Sequence, residues 1–342
     1  MRSEPNLRAY TADALRWGSV DGKMIFYGSV DATPLFLRLA VSYVDHHGDG
    51  ILHEGVTGRD GKQRIFADHL LMAKEWLLQN ILRSDIGLVE FQHKNPLGEQ
   101  VQTWKDSIDG YVHINGGYIN SSQPIAPLEV QGYAYDALKG IERLFPGSVP
   151  PGTIESLSQR TIAQFWLEGP GLFAQALDRD ESGQPRPVET PTSSSGLLLD
   201  SELLPDSPGT EEMVAQTVRM LEGRDFMTRA GIRCRSIEFA HLVPYPDYHG
   251  SYAVWFKETK DFIRGLERHG YREKALKLAR GLISIIQELG EYYEFVFVDH
   301  AGVVIPPQEP TGFFTDARSR VPEPGQAWTI SAFVYCLRLI QK

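Results

Sequence analysis

Cysteine is nearly absent: the 342 residues contain only Cys234 and Cys336. That excludes a disulfide framework and a cysteine-ligated zinc site. A surplus of positive charge is also lacking. Lys and Arg number 34 against 44 Asp and Glu, a net charge of −10. A duplex-binding protein carries a basic face, so nucleic acid is not an expected partner. No apolar run reaches the ~18–20 residues of a membrane span. The opening MRSEPNLRAY has no apolar leader core, so no membrane partner is expected and a cytoplasmic address is the default. The motifs G-x-x-x-x-G-K-[ST], G-x-G-x-x-G after a strand and G-x-S-x-G are missing, which removes the usual signals of nucleotide and serine-hydrolase chemistry. The run DHHGDG (45–50) lacks the terminal Glu of a calcium loop. His249 stands in no HxH or HExxH spacing. Neither a metal nor a cofactor is expected.

What the chain does have is a globular balance, 42% hydrophobic and 23% charged. We read 1–342 as a single domain. Aromatics reach 11%, alongside 32 Gly and 21 Pro. Many stand in loops beside carboxylates rather than on helical stripes. Aromatic faces next to hydrogen-bonding side chains suit sugars; an aromatic core is the competing explanation.

Helical periodicity is clear in 66–83, where Phe66, Leu70, Ala73, Leu77 and Ile81 recur at steps of three and four. It recurs in 271–289. Further helices are expected over 34–44, 125–143, 153–167, 211–222, 252–268 and 327–340. Strand signals are weak; Phe295–Val298 and Val303–Ile305 form one expected hairpin. Long Gly/Pro-rich loops separate the helices, at 84–124, 169–210, 223–250 and 290–325. The stretch 179–195 (RDESGQPRPVETPTSSS) is the expected mobile loop.

Four motifs stand out, each with a plainer alternative. In QTWKDS (102–107), Asp106 precedes a helix beside the Trp104 indole. Partial desolvation would raise its pKa and suit a proton donor; an Asp capping a helix is the alternative. In YGSVDATPLF (27–36), Asp31 or Thr33 caps the next helix, leaving the other for a ligand. In YPDYHGSYAVW (245–255), three Tyr, a His, a Trp and an Asp cluster. In PPQEPTGFF (306–314), Glu309 lies on a rigid loop, as a general base must, or is a surface Glu; Glu323 and Glu258 are rival carboxylates. Isolated Asp and Glu in aromatic loops are what glycoside hydrolysis uses: one acid for the leaving oxygen, one base or nucleophile opposite.

Taken in order, these segments resemble the C-terminal glucosidase domain of glycogen debranching enzymes (amylo-α-1,6-glucosidases) and the related mannosylglycerate-hydrolase-like glycosidases. YGSVDATPLF, QTWKDS (there QGWKDS), PIAPLEVQGYAYDAL (124–138), SSSGLLLDSELL (193–204), MLEGRDFMTRAGIRCRS (220–236), YHGS (248–251) with Trp255, and GQAWTISAF (325–333) each match a family segment. The resemblance implies an all-α, (α/α)6 toroid, the six-hairpin glycosidase barrel. It also implies inverting hydrolysis of an α-glucosidic bond in an oligosaccharide, without a cofactor. By motif, Asp106 becomes the general acid and Glu309 the general base. Tyr27, Asp31, Trp104, Lys105, Gln131, Tyr248, His249, Trp255 and Trp328 become sugar-binding residues.

The departures are specific. GSVWPHD becomes GSYAVWFKE, which introduces Lys257 and Glu258, and GHLLW becomes GLLLD. Few residues precede YGSVDAT, enough for one helix (Leu7–Trp17). The barrel is therefore expected to lack its first helix or two, with an N-terminal domain or a second copy of the chain covering the gap.

Three alternatives remain. One is a hydrolase of a small acidic glycoside such as glucosyl- or mannosyl-glycerate, with Lys105, Arg233 and Arg235 as its cations. Another is a non-catalytic sugar-binding protein. The last is a sugar isomerase, pairing His249 with His113, His241 or His300.

Overall fold

The structure is a computed structural model. It describes residues 28–58, 60–94, 98–243, 247–307 and 322–342, and the backbone of 19–20 and 23–24. The expected helix Leu7–Trp17 and the site candidates Tyr27 and Glu309 lie outside the described residues. The chain divides into two compact units. One comprises Met1–Ile108, Ile119–Arg160 and Asp178–Arg186; the other comprises Asp109–Tyr118, Thr161–Leu177 and Pro187–Lys342.

In the first unit, helices α1 (Ala32–His47), α2 (Phe66–Arg83) and α3 (Leu128–Leu144) pack together. A hairpin of β1 (Gly55–Thr57) and β2 (Gln63–Ile65) links α1 to α2. Leu37 of α1, Leu70 and Leu77 of α2 and Leu138 of α3 are fully buried. Each contributes roughly 2–3 kcal/mol of apolar burial. Gly140 lets α1 and α3 approach closely: a Cβ there would stand 2.7 Å from Val41 Cγ1. Large apolar side chains stay exposed on both α1 (Phe36, Leu39, Tyr43) and α2 (Met72, Trp76, Leu82).

The expectation of a mobile 179–195 is corrected here. Asp180 closes a tight turn, with its N–H on the Gln184 carbonyl and its Oδ1 accepting from the N–H groups of Ser182 and Gln184. Gly183, at φ +83°, supplies the left-handed residue the turn needs. Arg186 grips Asp178 with two bonds of 2.8 and 3.0 Å. Polar, Pro-rich composition suggested disorder, but side-chain-to-backbone bonds order the turn.

α4 (Thr153–Phe165) runs from the first unit into the second. The second unit holds α5 (Ser194–Leu199), α6 (Pro208–Leu221), α7 (Phe256–Arg268), α8 (Arg272–Leu289) and α9 (Ala327–Gln341). α5 packs on α7, and α7, α8 and α9 pack on one another. Ser207 caps α6, accepting from the Thr210 N–H, with Pro208 in the first turn. Gly290 ends α8 in a left-handed cap. A three-stranded antiparallel sheet runs β3 (Ala253–Trp255), β4 (Phe295–Val298), β5 (Val304–Ile305), with Trp255 opposite Phe295.

The unexpected charges of α7 have partners. Ser193 Oγ donates to Glu258 at 2.6 Å. Asp261 receives Lys257 at 3.2 Å and Lys260 at 2.6 Å. Burial alone would raise the Asp261 carboxyl, but the two ammonium groups hold it well below the usual range. Its stabilisation is therefore present above its unfolded pKa of about 3.9 and fades as pH falls below that value. Asp261→Asn is expected to lower the thermal midpoint at neutral pH. The gap to the parent should narrow on acidification below about pH 4, as calorimetry would read.

Candidate functional site

The sequence-predicted residues fall into two groups, one in each unit. In the first unit, the QTWKDS loop is held from both sides by buried carboxylates. Asp31 occupies the N-cap position of α1, yet its side chain does not cap the helix. Its Oδ2 instead accepts the Trp104 N–H at 2.8 Å, and Oδ1 accepts the Ser29 hydroxyl. On the other side the Trp104 indole N–H donates to Glu129 at 3.1 Å. Glu129 is fully buried in the first turn of α3. It is a carboxylate that sequence reasoning passed over; its one visible signal is an acid in an otherwise apolar helix start.

The loop alternates in depth. Thr103 and Lys105 are buried, and the Lys105 N–H bonds the Thr103 hydroxyl at 3.1 Å. The Lys105 ammonium lies 5.4 Å from the Trp104 ring centroid, within the range of a cation–π contact. Asp106 is exposed. The expectation that Trp104 shields it from water is therefore corrected: the indole turns inward to Glu129. Gln131 is wholly buried. Its amide receives the Val89 N–H at 2.9 Å and donates to the Val89 and Pro127 carbonyls. The structure gives it a scaffolding position, joining α3 to the loop at Val89, instead of an open face.

In the second unit, Tyr248, His249, Trp255 and Trp328 form one aromatic cluster. The His249 ring stacks on Trp255 at 5.0 Å, and Tyr248 lies 4.1 Å from His249. Trp255 continues to Phe295 at 5.1 Å and Trp328 at 5.7 Å. The Trp255 indole donates to the Tyr248 carbonyl at 2.6 Å. Register explains the assembly: β3 ends at Trp255 and pairs it with Phe295, while α9 begins beside Trp328. Trp255 and His249 are buried, whereas Trp328 is 37% exposed.

Two buried arginines hold this cluster's loop. Arg235 pairs with Asp247 at 3.0 Å and donates to the Asp109 carbonyl, three residues beyond Asp106. Asp247 Oδ1 in turn accepts the His249 N–H at 3.0 Å. Burial pushes the Asp247 carboxyl above its ordinary range, against the pull of Arg235. Arg233 donates to the carbonyls of Ser251, Asp299 and His300. As cations for an acidic substrate, Arg233 and Arg235 are thus already engaged within the protein. His241 is exposed, its Nδ1 3.1 Å from the Glu238 carbonyl. Among the described residues no group of three or more His, Cys, Asp or Glu could hold a metal ion. No described helix is long and apolar enough to cross a membrane.

Helix pairs dominate both units, and the chain has the fold of the (α/α)6 glycosidases. Its structure superposes on that of an uncharacterized conserved protein from Thermus thermophilus, with a TM-score of 0.56 and 14% identity over 94% of this chain and 82% of that one. It superposes on the GH63 mannosylglycerate hydrolase of the same organism, in complex with Tris, with a TM-score of 0.54 and 14% identity over 91% and 76%. The chain spans 38% of the length of a yeast (Saccharomyces cerevisiae) neutral trehalase that it also matches, and 46% of the hydrolase in its glucose complex. No family model and no curated protein matches the sequence.

Proposed function

We propose that the chain is an inverting glycoside hydrolase that cleaves an α-glucosidic bond, as the resemblance to debranching-enzyme glucosidases implies. Asp106 protonates the leaving oxygen, and Glu309 draws the proton from the attacking water. The observation that carries this reading is the QTWKDS loop. Asp31 and Glu129 fix Trp104 from two sides, while Asp106, two residues on, is exposed to whatever binds there. A catalytic acid needs such a backbone, because its proton must be placed to within a fraction of an ångström. In the inverting geometry the two carboxyls stand ~6.5–9.5 Å apart, leaving room for the water.

A smaller substrate is the second reading, favoured by one observation. Lys105 is a buried cation in the same loop, and one structural neighbour is named a mannosylglycerate hydrolase. Assaying released sugar across α-gluco-oligosaccharides, glucosylglycerate and mannosylglycerate separates the two readings. The first expects glucose from oligosaccharides, and the second expects turnover only of the glycerate glycosides. No turnover of any glycoside would leave a sugar-binding protein.

A further inference from the structure

A groove of about 620 Å³ opens in the first unit along the C-terminal half of α2. Trp76, 43% exposed, forms part of its lining. Gln79, Asn80 and Arg83 follow Trp76 at steps of three, four and seven residues, so the four share one helix face. Asn80 is locked by two 2.9 Å bonds to the Glu90 backbone, which fixes that wall. Gln92, Gln102 and Val30 line the groove from other segments. Its charges cancel: Glu75 and Glu90 are carboxylates, and Arg83 and Lys94 are cations. A neutral ligand suits such a surface better than an ionic one.

The groove is tied to the QTWKDS loop. The Val30 N–H bonds the Gln102 carbonyl at 2.8 Å, and Asp31 and Trp104, one and two residues further on, are bonded in turn. Gln102 precedes Asp106 by four residues, so at ~3.3–3.6 Å per residue it lies within roughly 14 Å of it along the chain. An exposed indole offers a flat apolar face to the C–H side of a pyranose. The surrounding amides and guanidinium can meet its hydroxyls.

We propose that this groove binds further pyranose units of an α-gluco-oligosaccharide whose scissile bond lies at Asp106, with Trp76 as the stacking platform. The assignment rests on the glycosidase reading and specifies its substrate class as an oligosaccharide, not a glyceryl glycoside.

Calorimetric titration of the Asp106→Asn chain with linear α-1,4- and α-1,6-gluco-oligosaccharides of increasing length reads the groove without catalysis. Affinity is expected to rise with length. Adding Trp76→Ala is expected to weaken the longest ligand about tenfold, and Trp76→Phe to restore most of the loss. In the otherwise native chain, Trp76→Ala is expected to lower the ratio of kcat/KM for long over short substrates by a similar factor. If length dependence is the same with Ala at 76, the groove proposal is overturned while hydrolysis still stands. If no glycoside is hydrolysed but length-dependent binding is lost with Ala at 76, the groove stands and the catalytic reading falls. If neither chain binds any of these sugars, the groove proposal is overturned.

Discussion

Asp106→Asn is expected to cut kcat on an unactivated α-glucoside by about 10²–10⁴-fold, the usual contribution of a general acid. At 1.36 kcal/mol per tenfold, that is roughly 3–5 kcal/mol of lost transition-state stabilisation. The loss should shrink on an aryl glucoside whose phenolate leaves without protonation. Glu309→Gln is expected to cost a comparable factor on both substrates, because activation of water does not depend on the leaving group. Exposure of Asp106 makes its amide variant safe for folding, so circular dichroism should match the parent. Steady-state kinetics on the two substrates separates the roles. Equal losses for both variants on both substrates would remove the acid assignment from Asp106.

Arg235→Met is expected to destabilise the protein by about 3–5 kcal/mol, the cost of breaking a buried ion pair. Arg235 and Asp247 are both nearly inaccessible, and the guanidinium also holds the Asp109 carbonyl. Burial already raises the Asp247 carboxyl, and removing its cation raises it further. A raised acid stabilises the fold fully below its unfolded pKa of about 3.9 and loses that contribution as pH rises through the folded value. The penalty of Arg235→Met is therefore smallest in acid and grows toward neutral pH. Adding Asp247→Asn should recover part of it, since no unpaired charge then remains. Denaturant midpoints across pH would show this trend. A pH-independent penalty would mean that Arg235 acts through packing alone. Because Asp109 follows Asp106 by three residues, kcat is expected to fall as well.

The long helices were the legible part of the fold. Their apolar positions recur at three and four residues, and α2 was anticipated at its observed bounds, Phe66–Arg83. α7 was expected from 252 but starts at Phe256, because Ala253–Trp255 pair with Phe295–Phe297 in a sheet. That competition is tertiary, and local periodicity does not contain it. α5 was hidden for a related reason. Its SSGLLL is too short and too rich in Ser and Gly to read as a helix, yet every residue in it is buried. Gly265 of α7 permits the approach, since a Cβ there would stand 2.6 Å from Leu199 Cβ.

The candidate site was legible as residue types and not as partnerships. Asp31 and Trp104 are 73 positions apart, and nothing local to either announces their hydrogen bond. The same holds for Glu129 beneath the indole, 25 positions from Trp104. Trp104 stood in the motif as a shield for Asp106, whereas the structure makes it the anchor of the loop. Gln131 stood as a sugar contact, and its amide instead meets three backbone groups. Polar residues in aromatic loops advertise a site; which of them face outward depends on long-range hydrogen bonds.

The central claim is inversion at an α-glucosidic bond by Asp106 and Glu309. Proton NMR during the first minutes of hydrolysis of an α-gluco-oligosaccharide tests it most directly, before the released glucose mutarotates. The account predicts β-glucose first, with release slowed by about 10²–10⁴-fold in both Asp106→Asn and Glu309→Gln. Appearance of α-glucose first, or undiminished β-glucose from either variant, would contradict it.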